Sequence, residues 1–188
     1  MTAPRPSLSG TPVLETARLR LRAPETGDFE AWAAYKASER SRFTGGPQTR
    51  AEAWRSFCGI TGHWVHRGYG MFVVTPREGG AALGLVGHWF PEGWPGEEIG
   101  WTLFSPDAEG RGIAFEAAQA VRTHAYDLLG WTTAISLIDA ANTRSQALAL
   151  RLGCVREGSA DLPGHGKADV WRHPGPDALA EGGMEAYA

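Results

Sequence analysis

The chain has 188 residues, 43% of them hydrophobic and 21% charged, which suits one packed domain and is unlike a disordered chain. A net charge of −3, spread without any dense Lys/Arg block, leaves no footprint for a nucleic acid. Two cysteines, Cys58 and Cys154, are too few for a disulfide framework; no apolar run of about 18 residues and no secretory start are seen, so a cytoplasmic protein without membrane association is expected.

Met1–Pro12, rich in Pro, Ser, Thr and Gly, reads as a flexible arm, residues 13–173 as the domain, and Pro174–Ala188 as a flexible Gly/Ala tail. Leu19 and Leu21 alternate with Arg18, Arg20 and Arg22, the pattern of a half-buried strand. Thr26 or Asp28 can cap a helix carrying Phe29, Trp32 and Tyr35, and a loop with Gly45, Gly46 and Pro47 precedes a second helix over Ala51–Arg67. Met71–Thr75 and Leu83–Phe90 then predict an antiparallel hairpin. A fourth strand, Glu98–Phe104, leads through the loop Glu109–Ala114 into a long helix whose Ala118, Val121, Ala125 and Leu128 recur at steps of three and four. Thr132–Ile138 predicts a strand, Asn142–Leu152 a short helix stopped by Gly153, and Val155–Gly158 with Ala168–Arg172 a last pair of strands. The sum is an α/β (α+β) domain with a mixed central sheet of about six to seven strands flanked by about four helices.

The loop Glu109-Gly110-Arg111-Gly112-Ile113-Ala114 is the stretch with the clearest chemistry. The first-turn amides of a helix have no intrahelical partner and lie at the positive end of its dipole, and glycines let a ligand approach the backbone closely. Together they suit an anionic diphosphate; a plain tight turn between strand and helix would use the same residues.

Four pieces in order, Thr16-Ala17-Arg18-Leu19-Arg20-Leu21-Arg22, Glu98-Ile99-Gly100-Trp101, Glu109–Ala114 followed by Glu116, and Asn142-Thr143-Arg144-Ser145 ending in Arg151-Leu152-Gly153, resemble the GNAT superfamily of N-acetyltransferases, in particular its RimJ/RimL-like branch. The resemblance spans about Leu14 to Trp171 and implies acetyl-CoA as cofactor. Its diphosphate would rest on the amides of Gly110, Arg111, Gly112, Ile113 and Ala114, and its pantetheine beside Leu103 and Phe104, with Asn142 and Ser145 as further cofactor contacts. Glu109 departs from the family pattern, where Gln or Arg is usual, and sets a carboxylate beside a diphosphate.

The implied reaction moves acetyl directly from a thioester to a primary amine, so an amine must lose a proton and a thiolate must be stabilised. Many members of the family use a Tyr on the short helix for the second task, and no Tyr lies between Asn142 and Gly153. Ser145, the residue that matches the Ser of the RimJ/RimL branch, is the candidate donor; the same residue can instead cap the helix, in competition with Asn142. Glu98, with Glu97 second, is the candidate base, against the plainer reading of a solvated carboxylate at a strand end, and His88 is the alternative base, against a structural histidine. Trp32, Trp54 and Trp64 fall in the two early helices, where they serve the core or line an acceptor site.

No metal is expected, since His63, His66 and Cys58 lack a fourth ligand and the right spacing. Gly110-Arg111-Gly112 lacks the third glycine of a dinucleotide-binding loop, and no Gly-Lys-Ser/Thr triplet supports a phosphate-binding loop of the kinase type. An acyl-CoA-binding sensor or interaction module without transfer activity is the alternative function. The acceptor amine, whether protein N-terminus, amino acid, polyamine or antibiotic, and the oligomeric state, including a homodimer, stay open at this level.

Overall fold

The computed structural model describes residues 7–164 and 166–180. The outer parts of the expected arm and tail, residues 1–6 and 181–188, lie outside the described residues.

One eight-stranded sheet organises the described chain. Its strands are β1 (Leu14–Glu15), β2 (Leu19–Arg22), β3 (Met71–Pro76), β4 (Gly84–Trp89), β5 (Glu98–Leu103), β6 (Ile135–Ile138), β7 (Val155–Leu162) and β8 (Gly166–Arg172). They lie in the order β1-β2-β3-β4-β5-β6-β8-β7. Every pairing is antiparallel except that of β5 with β6. The described residues form five α-helices, α1 (Phe29–Ala37), α2 (Arg50–Arg67), α3 (Ile113–Asp127), α4 (Thr143–Arg151) and α5 (Pro176–Ala180). Among the described residues, no helix is long and apolar enough to cross a membrane.

Alternate side chains of the central strands serve opposite faces, as the pleat requires. Phe72, Val74 and Val86 join the cluster built around Ala117, Ala118, Val121 and Ala125 of α3, while Val73 and Leu85 join Phe29, Trp32, Phe57 and Ile60 of α1 and α2. Both faces are covered, and so β3 reads as a continuous apolar run instead of an alternating one. Full burial of such side chains contributes about 1.5–3 kcal/mol each.

Four features differ from the sequence expectation. The pair Leu14–Glu15 adds a short edge strand opposite Leu21 and Arg20, and the last hairpin extends to Leu162 and Gly166. The start of the expected tail is docked: the Tyr126 hydroxyl donates to the Pro174 carbonyl at 2.9 Å, and Leu179 packs on the core. Leu128, expected on the buried face of α3, is 73% exposed, because the helix ends at Asp127 and the chain turns away there.

Candidate active site

β5 and β6 meet at a single register pair, Glu98 with Ile135, and then part. The Ser136 hydroxyl donates to the Ile99 carbonyl at 2.6 Å at the start of the split, and past that point β5 has no strand partner on this side. Two clefts open from the split, one of about 850 Å³ and one of about 590 Å³. Arg42, Phe43, Thr44, Trp101, Asn142 and Ser145 line both, so the clefts meet there.

The larger cleft runs under the glycine loop. Gly110 and Gly112 have φ of +70° and +74°, a region in which side chains are strained, and a Cβ on Gly112 would lie 3.3 Å from an Arg18 guanidinium nitrogen. Gly112 is also the N-cap of α3 and offers no side chain to its first turn. By contrast, α2 starts with a reciprocal Thr49–Glu52 capping box, and α4 has the Asn142 side chain accepting from the Ser145 amide. The first-turn amides of α3 therefore keep their capacity for a ligand.

Behind the loop, Arg18 and Glu116 form a clamp. The Glu116 carboxylate accepts from the Thr16 hydroxyl and from the Arg18 amide and Nε, while an Arg18 terminal nitrogen donates to the Arg111 carbonyl at 2.9 Å. The Thr16-to-Arg22 stretch thus holds the loop through its carbonyl side. Glu109 does not lie loose beside the loop, for Arg40 and Arg144 both bind it, Arg40 at 2.7 Å. Arg40, Arg42, Arg144 and Arg151 line this cleft against the single carboxylate of Glu109, which makes it locally positive in a chain of net charge −3.

At the junction, Asn142 caps α4, so Ser145 is not needed for that purpose. Its hydroxyl oxygen accepts from Trp101 Nε1 at 3.2 Å, which leaves the hydroxyl hydrogen to be donated elsewhere. In the smaller cleft, Glu98 is 8% exposed and accepts from Trp94 Nε1 at 2.6 Å and from the Leu137 amide at 3.4 Å. Burial pushes its carboxyl up to about 7, against the weaker opposing pull of these two donors. A Cβ on Gly100 would be 3.6 Å from Glu98 Oε1, so the absence of a side chain at Gly100 keeps the space beside the carboxylate open.

Residues 18–155 match the family model of the acetyltransferase (GNAT) domain. The chain belongs to the GNAT acetyltransferase family. An acetyltransferase from Agrobacterium tumefaciens str. C58 is 32% identical, with 92% of this chain and 99% of that one covered and a TM-score of 0.80. A GNAT-family acetyltransferase from Bacillus anthracis is 23% identical over 86% of this chain and 96% of its own, with a TM-score of 0.69. RimL, a ribosomal L7/L12 alpha-N-protein acetyltransferase solved in complex with coenzyme A, is 18% identical over 86% and 96%, with a TM-score of 0.67, a likeness of fold.

GNAT acetyltransferases use acetyl-CoA, and the larger cleft fits such a molecule: an uncapped helix start behind two left-handed glycines, a positive lining and an unpaired strand edge. Of the residues singled out in the sequence, Leu103, Glu109, Gly110, Gly112, Ile113, Ala114, Asn142 and Ser145 line it. Arg111 and Phe104 do not. The Arg111 side chain is exposed while its carbonyl is held by Arg18, and Phe104 packs against Tyr35 and Trp32, with ring centroids 5.6 and 6.0 Å away.

Glu98 lines the second cleft, and His88 lines neither. His88 is fully buried, with Nε2 3.1 Å from the Val121 carbonyl, and burial holds its imidazole down at about 3. As an alternative base it is therefore displaced by its position: it has no route to an acceptor. His63, weighed above with His66 and Cys58, donates from Nδ1 to the Tyr69 carbonyl and accepts the Phe90 amide at Nε2, so both nitrogens are used within the fold. Of the three helical tryptophans, Trp32 lines the second cleft, Trp64 is buried in the core and Trp54 is half exposed.

Sequence reasoning missed the 3-10 turn Glu39–Thr44, which supplies Arg40, Arg42, Phe43 and Thr44 to the site. It also missed Trp94 as the partner of Glu98. No motif marks that turn; Trp94, four residues before Glu98 in a Gly/Pro-rich loop, was the one visible hint.

Proposed function

We propose that this protein is an N-acetyltransferase that moves acetyl from acetyl-CoA directly onto a primary amine, with Glu98 as base and Ser145 as hydrogen-bond donor. The observation that carries the reading is the split between β5 and β6, which joins a positive cleft and a carboxylate-bearing cleft at Ser145 and Trp101. The amides of Gly110, Gly112, Ile113 and Ala114 would hold the diphosphate, and the free edge of β5 near Leu103 would pair with the pantetheine amides. Bound acetyl-CoA supplies an electrophilic thioester carbonyl and a thiolate leaving group.

Glu98 takes one proton from the incoming ammonium, directly or through one water, so that the free amine can attack; the second nitrogen proton, lost as the amide forms, would pass to the leaving thiolate. With its carboxyl near 7 Glu98 is substantially ionised at neutral pH and basic enough to accept the first of these protons. Ser145, held by Trp101 and positioned in the first turn of α4, donates its hydroxyl hydrogen toward sulfur as the C–S bond breaks. Asn142 positions Ser145 through its amide and takes no part in the proton transfers. The RimJ/RimL-like reading rests on the four ordered stretches, Thr16–Arg22, Glu98–Trp101, Glu109–Ala114 with Glu116, and Asn142–Ser145 ending in Arg151-Leu152-Gly153.

The test is coenzyme A release with acetyl-CoA and a panel of amines, with mass spectrometry of the acetylated product. Amine-dependent release that Glu98→Gln lowers about 100-fold is expected. Tight acetyl-CoA binding with no release by any amine class would instead support the sensor reading.

A further inference from the structure

The second cleft has a lining unlike that expected for a polycationic acceptor. Trp32, Trp89, Trp94, Trp101, Met71 and Leu85 form much of its wall, an apolar and aromatic surface. The charges on it are unequal: Lys36, Arg42 and Lys167 against Glu98 and Asp139. The chain has 16 arginines and only two lysines, and both lysines are in this one cleft.

The cations there lack ion-pair partners. Lys36 is 1% exposed; its ammonium donates to the Thr44 carbonyl and lies 5.2 Å from the Trp32 ring centre, and among the described residues no carboxylate pairs with it. Arg42 stacks on Phe43 and has no carboxylate partner there either. Lys167 stands on the opposite border, on β8, with Asp169 near enough to feel its charge but outside ion-pair distance. Thr44 carries the link from Lys36 to β5: its hydroxyl is 2.9 Å from the Tyr35 hydroxyl, to which Thr102 donates at 2.7 Å. One border of the cleft therefore holds a buried cation without a carboxylate partner among the described residues, linked through Thr44 and Tyr35 to Thr102 of β5.

We propose that the acceptor is a hydrophobic amine that also carries a carboxylate, an apolar or aromatic amino acid or short peptide, with its carboxylate facing Lys36 and Arg42 and its side chain on the tryptophans. This rests on the acetyl-transfer reading above. A polyamine or aminoglycoside would place several positive charges against three cations, with Glu98 and Asp139 as the available counter-charges. A zwitterion supplies what each part lacks: an ammonium for Glu98, an anion for the lysine and arginine, an apolar body for the indoles. Burial holds the Lys36 ammonium down at about 8, and an arriving carboxylate would restore its full protonation.

The experiment compares matched pairs that differ only in the acid group: phenylalanine with phenethylamine, tryptophan with tryptamine, and Phe-Gly with its amide. Spermidine and kanamycin complete the panel. At least tenfold higher kcat/KM for the acid member of one or more pairs is expected. In Lys36→Met that ratio should shrink about tenfold through KM, and in the exposed Lys167→Ala a few-fold, while the amines without an acid group are little affected. Circular dichroism and melting check that Lys36→Met is folded; if it is not, Lys167→Ala and Arg42→Gln carry the comparison. Equal or better turnover of the members without the acid, or preference for spermidine or kanamycin, overturns the proposed acceptor and leaves acetyl transfer standing. No turnover of any amine, with acetyl-CoA bound, overturns acetyl transfer and the acceptor with it.

Discussion

The two clefts on either side of the β5–β6 split are built on different principles. The larger one is made mostly of backbone: glycine dihedrals, the amides of an uncapped helix start and a strand edge. The smaller one is made of side chains brought from α1, the following 3-10 turn, α2, β3, β4, β5, β6 and the β7–β8 hairpin. A backbone-built site binds what every member of a family shares, because few side-chain changes can disturb it. A side-chain-built site is free to change with the acceptor. The boundary between them, at Trp101, Asn142 and Ser145, is where the proposed transfer would take place.

The sharpest way to break this comparison is at Glu98. Glu98→Gln should lower kcat about 100-fold, within the range usual for a lost general base, measured by coenzyme A release with the best amine. The wild-type rate should rise with pH through about 7 as the carboxyl ionises, and the variant should lose that limb. Stability should move the other way. The folded-state value is raised from 4.5, so folding favours the protonated carboxyl; this contribution is present below pH 4.5 and lost as pH rises through about 7. At pH 8 the Gln variant should therefore be more stable than wild type by about 3 kcal/mol, and at pH 4.5 nearly equal, by urea denaturation at each pH. His88 and His173, both held down at about 3 by burial, destabilise the fold as pH falls below 6.5, but equally in both proteins. Equal stability at all pH values would show that Glu98 is not desolvated.

On the backbone side, Gly112→Val should weaken acetyl-CoA binding at least tenfold by calorimetry. The φ of +74° disfavours a β-branched residue, and the new side chain crowds the Arg18 contact. Arg111→Ala should change affinity by less than about threefold, since only its carbonyl is engaged and an exposed charge contributes little. The reverse order would mean that side chains, not amides, hold the diphosphate.

At the junction the expected effect on the rate is smaller than at Glu98. Ser145→Ala should lower kcat about tenfold with acetyl-CoA affinity nearly kept, because the proposed interaction strengthens only as the thiolate forms. Its melting temperature should be nearly unchanged, whereas Asn142→Ala, which removes the cap, should cost about 1 kcal/mol. A Ser145→Ala protein with full turnover, when chemistry limits the rate, would remove Ser145 from the mechanism.

Much of this protein was legible in the chain alone, for local reasons. The apolar period of α3, the Gly/Pro loop before α2 and the glycines at 110 and 112 act over a few residues, so sequence reading placed most of the strands, the main helices and the glycine loop. Glu98 and Ser145 were visible as candidates because they sit in short motifs. What those motifs could not supply was the choice among roles, which depends on neighbours distant in the chain. Asn142 took the cap and freed Ser145; burial within the fold raised the Glu98 carboxyl against the opposing pull of Trp94 and Leu137; the α3 carbonyl at Val121 sequestered His88. Arg40 and Arg144, 69 and 35 residues from Glu109, resolved a carboxylate that looked misplaced beside a diphosphate. Backbone conformation is set by near neighbours and is written locally; desolvation and charge pairing are set by whatever the fold brings into contact, and only the tertiary structure decides them.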